Sequence, residues 1–539
     1  MRIPRNLDDR ENFYLDLIRK CQTSRETRRA DYQSLRSYYS FGSGPEKSPA
    51  LYNKIYPHID QLVSFLYSAD STRFTINLGA SAPEAEYKKI PRLSQALNEE
   101  WNHSNADRVF EQALVWSLVY DSAFVKLIVH NSTINPYYVD PANFGVLRED
   151  IAYTDRQEAF VHWYYITKSD LYARLYAHPN RDSIVRRIQT TAHEPQYVPD
   201  GVDRIVLSAV DPTMYGTVNM DLYGYNRMKA KVEEETVEMC ELYVWNDETQ
   251  DYQVVTTADP QVVIYDRANE EMFIKGESPF IQVCPNPMPD YYWGQSEVSR
   301  LMFLQDARNQ RMNEILELLS KQVSPPTLLS GFTGILDEKD FALNRPGGLL
   351  SSDMPGVKAE RLAPQLPQDL YAQLDQIDAM FEEASGINNV LSGKGEQGVR
   401  SAGHASQLAR LGSSRAKKRA LNIEDALEKM SSLYMKLIQA YDNTHYKDID
   451  GTPFIADQFT KNYVVKVDAH SNSPIFMEDM RSLAFNMFKA GAIDKESLIE
   501  LLDPPMKQQL LERLKKAEQN HPQGGGNVTP MPAKDKKHG

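Results

Sequence analysis

Three glycines are the first residues whose spacing suggests chemistry. Gly393, Gly395 and Gly398 match G-x-G-x-x-G. A dinucleotide site needs a strand before such a loop and an acidic residue on a following strand. Here the preceding segment reads as a helix end and a polar loop, so the glycines read as a flexible loop. No G-x-x-x-x-G-K-[ST] phosphate cradle occurs, and no H-E-x-x-H or histidine cluster at metal-ligand spacing. His404 lies near Ser406 but has no triad context. Cys21, Cys240 and Cys284 are far apart and form no C-x-x-C pair. That argues against a disulfide framework or a zinc knuckle and fits a reducing compartment. The sequence therefore reads as a chain with no cofactor, no metal and no catalytic residues.

Cations give a stronger signal. Between 394 and 419 the chain carries Lys394, Arg400, Arg410, Arg415, Lys417, Lys418 and Arg419 against the single acid Glu396. This is a local reversal of sign in a chain of net charge -14. Cations on a loop contact DNA phosphates without reading sequence. Lys394 and Arg400 fall on the Gly-rich loop 388–403 and are the candidates for that role. Arg415, Lys417, Lys418 and Arg419 fall on a helix and suit an inter-subunit or channel-facing position, or a solvated face. Arg308 and Arg311 belong to a second polar stretch, Gln305 to Arg311, in the middle of another helix. That stretch fits a helix lining a wet channel, packing among copies of itself, or standing in an ordinary bundle.

The elements that must carry these residues are legible in outline. Apolar residues at helical spacing predict a helix or helix pair over 1–45, a helix over 51–68 and a long helix over 91–120. From about 120 to 285 short runs such as AFVKLIVH, EMCELYVWN, YQVVTT and QVVIYD read as strands, with a meander over 236–266 turning at NDETQD. Pro279, Pro285, Pro287 and Pro289 then stop regular structure. Ser296 is the N-cap candidate of a helix over 297–322, which ends at Pro325-Pro326. An irregular insert with short strands (TLLSG, GGLLS) leads to a second helix over 368–386. A very long amphipathic helix starts near 402–405 and runs to about 445, followed by a β pair over 452–468 and helix over 475–519. The Gly/Pro/Lys-rich stretch from 520 to the end reads as disordered.

Bulk properties limit the class. A chain of 539 residues is too long for one core, so two to four regions are expected. With 41% hydrophobic and 25% charged residues it has the composition of a folded protein. Its acidity lacks the basic footprint of a sequence-specific DNA binder. The charged N-terminus MRIPRNLDDRENFY has no apolar core and is not a secretory signal. No run reaches transmembrane length. The fold class is α+β, mainly helical.

Two segments, taken in order, resemble a known family. SPFIQVCPNPMPDYYWGQSEVSRLMFLQDARNQRMNEILELLSKQVSPPTLL resembles the passage from wing to stem in bacteriophage portal proteins. SGINNVLSGKGEQGVRSAGHASQLARLGSSRAKKRALNIEDALEKM resembles the return through the tunnel loop into the long wing helix. The similarity extends over about 50–470, most like short-tailed phages, and rests on the order of parts. It implies a ring subunit with an α/β wing (1–296), stem helices (297–322 and 368–387) and a small α/β clip (323–367). It further implies a tunnel loop (388–403) with Lys394 and Arg400 nearest DNA, a long wing helix and β pair (404–470), a helical crown (471–519) and a disordered tail (520–539). The implied assembly is a dodecamer at one capsid vertex of the virion, made in the host cytoplasm, through which double-stranded DNA is packaged and ejected. Its implied partners are the terminase large subunit, head-completion or tail adaptor proteins, and the major capsid and scaffolding proteins, with no membrane. A metal-dependent nuclease and a non-portal, ring-forming tail adaptor are the alternatives. A separate ATPase would supply the energy.

Overall fold

An apolar stripe at spacings of three and four makes the N-terminal segment one long helix, α1 (Leu7–Phe41). In this computed structural model the described residues are 1–192 and 235–323, apart from short stretches at 46, 48–49, 69–71, 80–81, 131–132, 177, 189–190 and 260–261. Also described are 327–330, 358–361, 367, 369–385, 414–467, 483–502, 510 and 513–514. Two units divide the chain, Met1–Asn472 and Ser473–Gly539.

In the first unit α1 stops at Gly42, whose φ of +67° is open to glycine and whose N–H donates to the Tyr38 carbonyl. Then follow α2 (Ile55–Leu66), β1 (Phe74–Leu78), α3 (Glu84–His103) and α4 (Ala106–Val119). The single helix expected over 91–120 is thus two, and β1 was not anticipated. The break falls at Asn105, φ +54°, a left-handed position that Asn tolerates better than most residues. The bend brings Asp107 of α4 within 2.7 Å of both the Trp101 indole N–H and the Tyr67 hydroxyl, which donate to it.

The β-rich region contains β2 (Ala123–His130), β3 (Thr133–Val139), β4 (Phe144–Val146) and β5 (Ala159–Thr167), then α5 (Lys168–Arg174), α6 (Arg181–Arg187) and β6 (Thr191–Ala192). It continues with β7 (Glu235–Asn246), β8 (Asp251–Ala258), β9 (Val262–Ala268) and β10 (Phe280–Val283). The expected meander is β7-β8-β9 within a six-stranded antiparallel sheet, ordered β4-β5-β7-β8-β9 with β6 on β7. A three-stranded sheet is ordered β10-β2-β3.

Strand β5 is apolar almost throughout because both of its faces are covered. Val161 and Trp163 pack against Tyr14, Leu17, Ile18 and Cys21 of α1. Phe160 turns the other way, stacking on Tyr243 at 4.9 Å within an aromatic core that includes Phe124, Phe144, Phe280 and Trp293. Each fully buried aromatic contributes about 2–3 kcal/mol of transfer free energy. Arg25 and Arg28 of α1 are buried too: Arg25 lies over Trp163 and pairs with Glu238 at 2.9 Å, and Arg28 lies over Trp293.

Next come α7 (Glu297–Val323), β11 (Thr327–Ser330), β12 (Lys358–Arg361) and α8 (Asp369–Ser385). Strands β11 and β12 pair antiparallel. The first matches the TLLSG run; GGLLS lies outside the described residues, and β12 carried no sequence signal. Helix α9 is described over Ser414–Tyr441. Its stripe of Ile423, Leu427, Met430, Tyr434 and Leu437 is buried, with Tyr434 against Trp101. The residues expected to begin that helix, 402–413, lie outside the described set.

Last in this unit are β13 (Tyr446–Lys447), β14 (Pro453–Phe454) and β15 (Tyr463–Val467). The β pair expected within 452–468 does not form between those two runs. β14 pairs with β13, and β15 pairs with β1, where Val465 and Val467 oppose Ile76 and Phe74 and bury all four side chains. In the second unit, helix is described at 483–489 and at Lys495–Leu502, the latter capped by Asp494, which accepts from the Ser497 N–H at 2.8 Å. The chain is α+β.

Candidate functional site

The proline run ends at a close-packed turn. A Cβ on Gly294 would stand 2.5 Å from the Cys284 sulfur and 2.6 Å from the Asp121 carbonyl, so only glycine fits. Two residues on, the Ser296 hydroxyl accepts from the Ser299 N–H at 3.1 Å and caps α7, as its position in the sequence suggests. That hydroxyl also donates to the Val119 carbonyl at the end of α4. The helix start is therefore fixed to the body from both sides.

Glu297, the next residue, is fully buried. Its Oε1 accepts from Asn286 at 2.7 Å and pairs with the Arg419 guanidinium of α9 at 2.6 Å and with Arg300 at 3.2 Å. Arg419, itself 5% exposed, donates from Nε to the Asn286 side chain. Burying this carboxylate and guanidinium costs several kcal/mol per ion; the short contacts at Oε1 offset part of it, while Oε2 has no hydrogen-bond partner among the described residues. One ion pair thus joins α7, the proline-rich segment and α9.

Four residues of the polar middle of α7 face the subunit's own N-terminal region. Gln305 is fully buried; its carbonyl accepts from the Lys54 N–H, and its amide donates to the Tyr52 carbonyl, both at 3.0 Å. Asp306 accepts from the Tyr38 hydroxyl and pairs with Lys47. Asn309 donates to the Gly42 carbonyl at 2.7 Å. Arg308 lies over the Tyr52 ring and pairs with Asp378 of α8 at 3.0 Å, and the same carboxylate takes Lys54 at 2.7 Å. Beyond this contact the chain leaves α7 into β11 and re-enters α8 from β12, and those strands pair. The two helices therefore run antiparallel.

His58 of α2 lies behind this contact, buried, with its ring edge-on to Phe381 of α8 at 6.2 Å. Its Nε2 has no hydrogen-bond partner among the described residues. Burial, reinforced by the nearby Arg419 charge, pushes its pKa down to about 4.

Past Ile315 the character of the pair changes. The last eight residues of α7 are exposed or half-exposed, and so is most of the first turn and a half of α8. Leu316, Leu319, Val323 and Tyr371 are exposed there, and Phe303 and Met380 are exposed nearer the base. Val323 is 70% open and Phe303 72%. The pair is held at its base by ion pairs and offers apolar side chains along its length.

The sequence-derived cations separate. Arg308 and Arg419 are buried in ion pairs inside the subunit. Arg311 is half-exposed and pairs with Glu314 on its own helix. Lys417 is half-buried and Lys418 exposed. Arg415 lies in the first turn of α9, its side chain outside the described set, and Lys394 and Arg400 lie outside it altogether. Sequence reasoning missed Lys54, His58, Glu297 and Asp378. An acid just after an N-cap serine reads as a helix-dipole residue, and nothing in its neighbours signals that it is buried.

Among the described residues no group of three or more His, Cys, Asp or Glu could hold a metal ion, and no helix is long and apolar enough to cross a membrane. The family model described as phage SU10 portal protein matches residues 89–469. Among solved structures, one titled virion of native gene transfer agent (GTA) particle is similar at 9% identity and a TM-score of 0.43, covering 88% of this chain and 94% of that one. No curated protein matches the chain.

Proposed function

The chain belongs to the phage SU10 portal protein family, and from that premise we propose how its parts divide the work of a portal ring. It is a structural component of a virion. In the proposed ring, residues 297–322 and 368–387, which hold nearly all of α7 and α8, are the stem, 323–367 the clip and 388–403 the tunnel loop. The α/β body of 1–296 with 404–470 is the wing, 471–519 a crown and 520–539 a tail beyond it. Twelve copies would surround double-stranded DNA. The terminase large subunit would dock during packaging and an adaptor or tail protein afterwards, with capsid and scaffolding proteins around the wing.

The observation that carries this division is the helix pair. Its base is joined to the body by Glu297–Arg419 and Lys54–Asp378 and its two helices to each other by Arg308–Asp378, while Leu316, Leu319, Val323 and Tyr371 stand exposed beyond it. A lone subunit gains nothing from an apolar exposed stem, whereas neighbouring copies would bury it. A ring needs a heterologous contact that closes on itself, and a rigid base fixes the angle between copies.

The chemistry of transport supports the same reading. DNA must move past every subunit, so contacts must be weak and indifferent to sequence. A chain of net charge -14 with Lys394 and Arg400 on the proposed tunnel loop suits that need. Immunogold labelling of phage particles tests the assignment. Label at a single capsid vertex is the expected result; label spread over the shell, or confined to a detached tail, contradicts it.

A further inference from the structure

A cleft of 860 Å³ lies in the first unit between the proline-rich segment, α9 and two sheet edges. It shares no residue with the ion pairs at the base of the helix pair. Phe280, Ile281 and Gln282 of β10 line one side and Tyr463, Val464 and Val465 of β15 another. Both are edge strands: among the described residues β10 pairs only with β2, and β15 only with β1. Such edges accept an added strand through main-chain hydrogen bonds.

Among the residues that line the cleft the charges have one sign left over, although Arg156 lies over the Tyr153 ring beside it. Its two lysines are already engaged, Lys436 with Glu277 and Lys429 with Asp425. Glu428 is held by Lys466. Asp155 and Asp290 also line the cleft, exposed, with no ion-pair partner among the described residues. Asp290 adopts φ +53°, a backbone position that most side chains avoid. Tyr153, Met288 and Val464 add exposed apolar surface at the mouth.

We propose that this cleft binds an extended, lysine- or arginine-bearing segment of a partner protein, added beside β10 or β15 with its cations on Asp155 and Asp290. Alternate side chains of the segment would face the apolar mouth and the acids, as the period of a strand provides.

The test uses the purified full-length protein in its assembled state and a fluorescein-labelled peptide alternating lysine with threonine and one tyrosine. Saturable binding by fluorescence anisotropy is expected, weakening with added salt. It should fall about tenfold in the Asp155→Asn/Asp290→Asn variant, whose two substitutions are on exposed side chains. The same peptide with alternate backbone amides N-methylated keeps every charge and should lose binding. Equal affinity for the variant, or for a glutamate-for-lysine peptide, overturns the proposal. So does undiminished binding of the methylated peptide. Binding only to dissociated subunits would assign the cleft to a second copy of this chain and would equally overturn it.

Discussion

Arg419 and Glu297 meet where neither has access to bulk water, so removing one charge strands the other. Arg419→Met is expected to cost about 3 kcal/mol, the usual consequence of breaking a buried pair. The double variant Glu297→Gln/Arg419→Met should recover most of that loss, because it leaves no ion behind. Urea denaturation midpoints measure both, and an unchanged midpoint in the single variant contradicts the buried pair. His58 makes a prediction about pH. Its folded pKa of about 4 lies below the ordinary histidine value of 6.5, so the unfolded chain takes up the proton first. Stability from a neutral His58 is complete above pH 6.5 and is lost as pH falls toward 4, by about 3 kcal/mol in total. Asp121, whose burial raises its pKa to about 6, acts in the opposite sense: its contribution is lost as pH rises from the ordinary carboxylate range to about 6. Comparing the native chain with His58→Leu therefore isolates the histidine. A native-minus-variant difference that stays flat between about pH 7 and 4 refutes the assignment.

Among the elements, the helix pair concentrates the exposed apolar surface. Leu319→Asp/Val323→Asp should leave subunit stability within about 0.5 kcal/mol, since both side chains are already exposed. It should shift the protein toward smaller species in analytical ultracentrifugation; an unaltered distribution would mean that this face does not hold copies together. The long elements were legible in sequence because period carries them: α7 runs over Glu297–Val323 where 297–322 was expected, and AFVKLIVH is β2 residue for residue. Other elements escaped because their cause is distant. β1 exists because β15 returns to pair with it across almost four hundred residues of chain. The helix break at Asn105 depends on one left-handed residue in an otherwise continuous pattern. Cations could be found by type, but their burial could not. Lys418 and Arg419 are adjacent in sequence, yet one is in solvent and the other is sealed against Glu297. Which of the two faces inward depends on where the proline-rich segment and α7 pack, and no local pattern records that.

At the scale of the whole molecule, the proposed role of this acidic chain is to guide DNA with Lys394 and Arg400 rather than to hold it. Lys394→Glu/Arg400→Glu should reduce DNA packaged per particle, measured by filter-retained DNA after nuclease treatment, while assembly proceeds. Failure of assembly in that variant would give the loop cations a structural task instead. The chain is proposed to work as a closed ring. Mass photometry with negative-stain class averages of the purified protein tests it most directly. Rotationally symmetric particles with a central hole, near twelve times the subunit mass, are the predicted result. A stable monomer at micromolar concentration would contradict it.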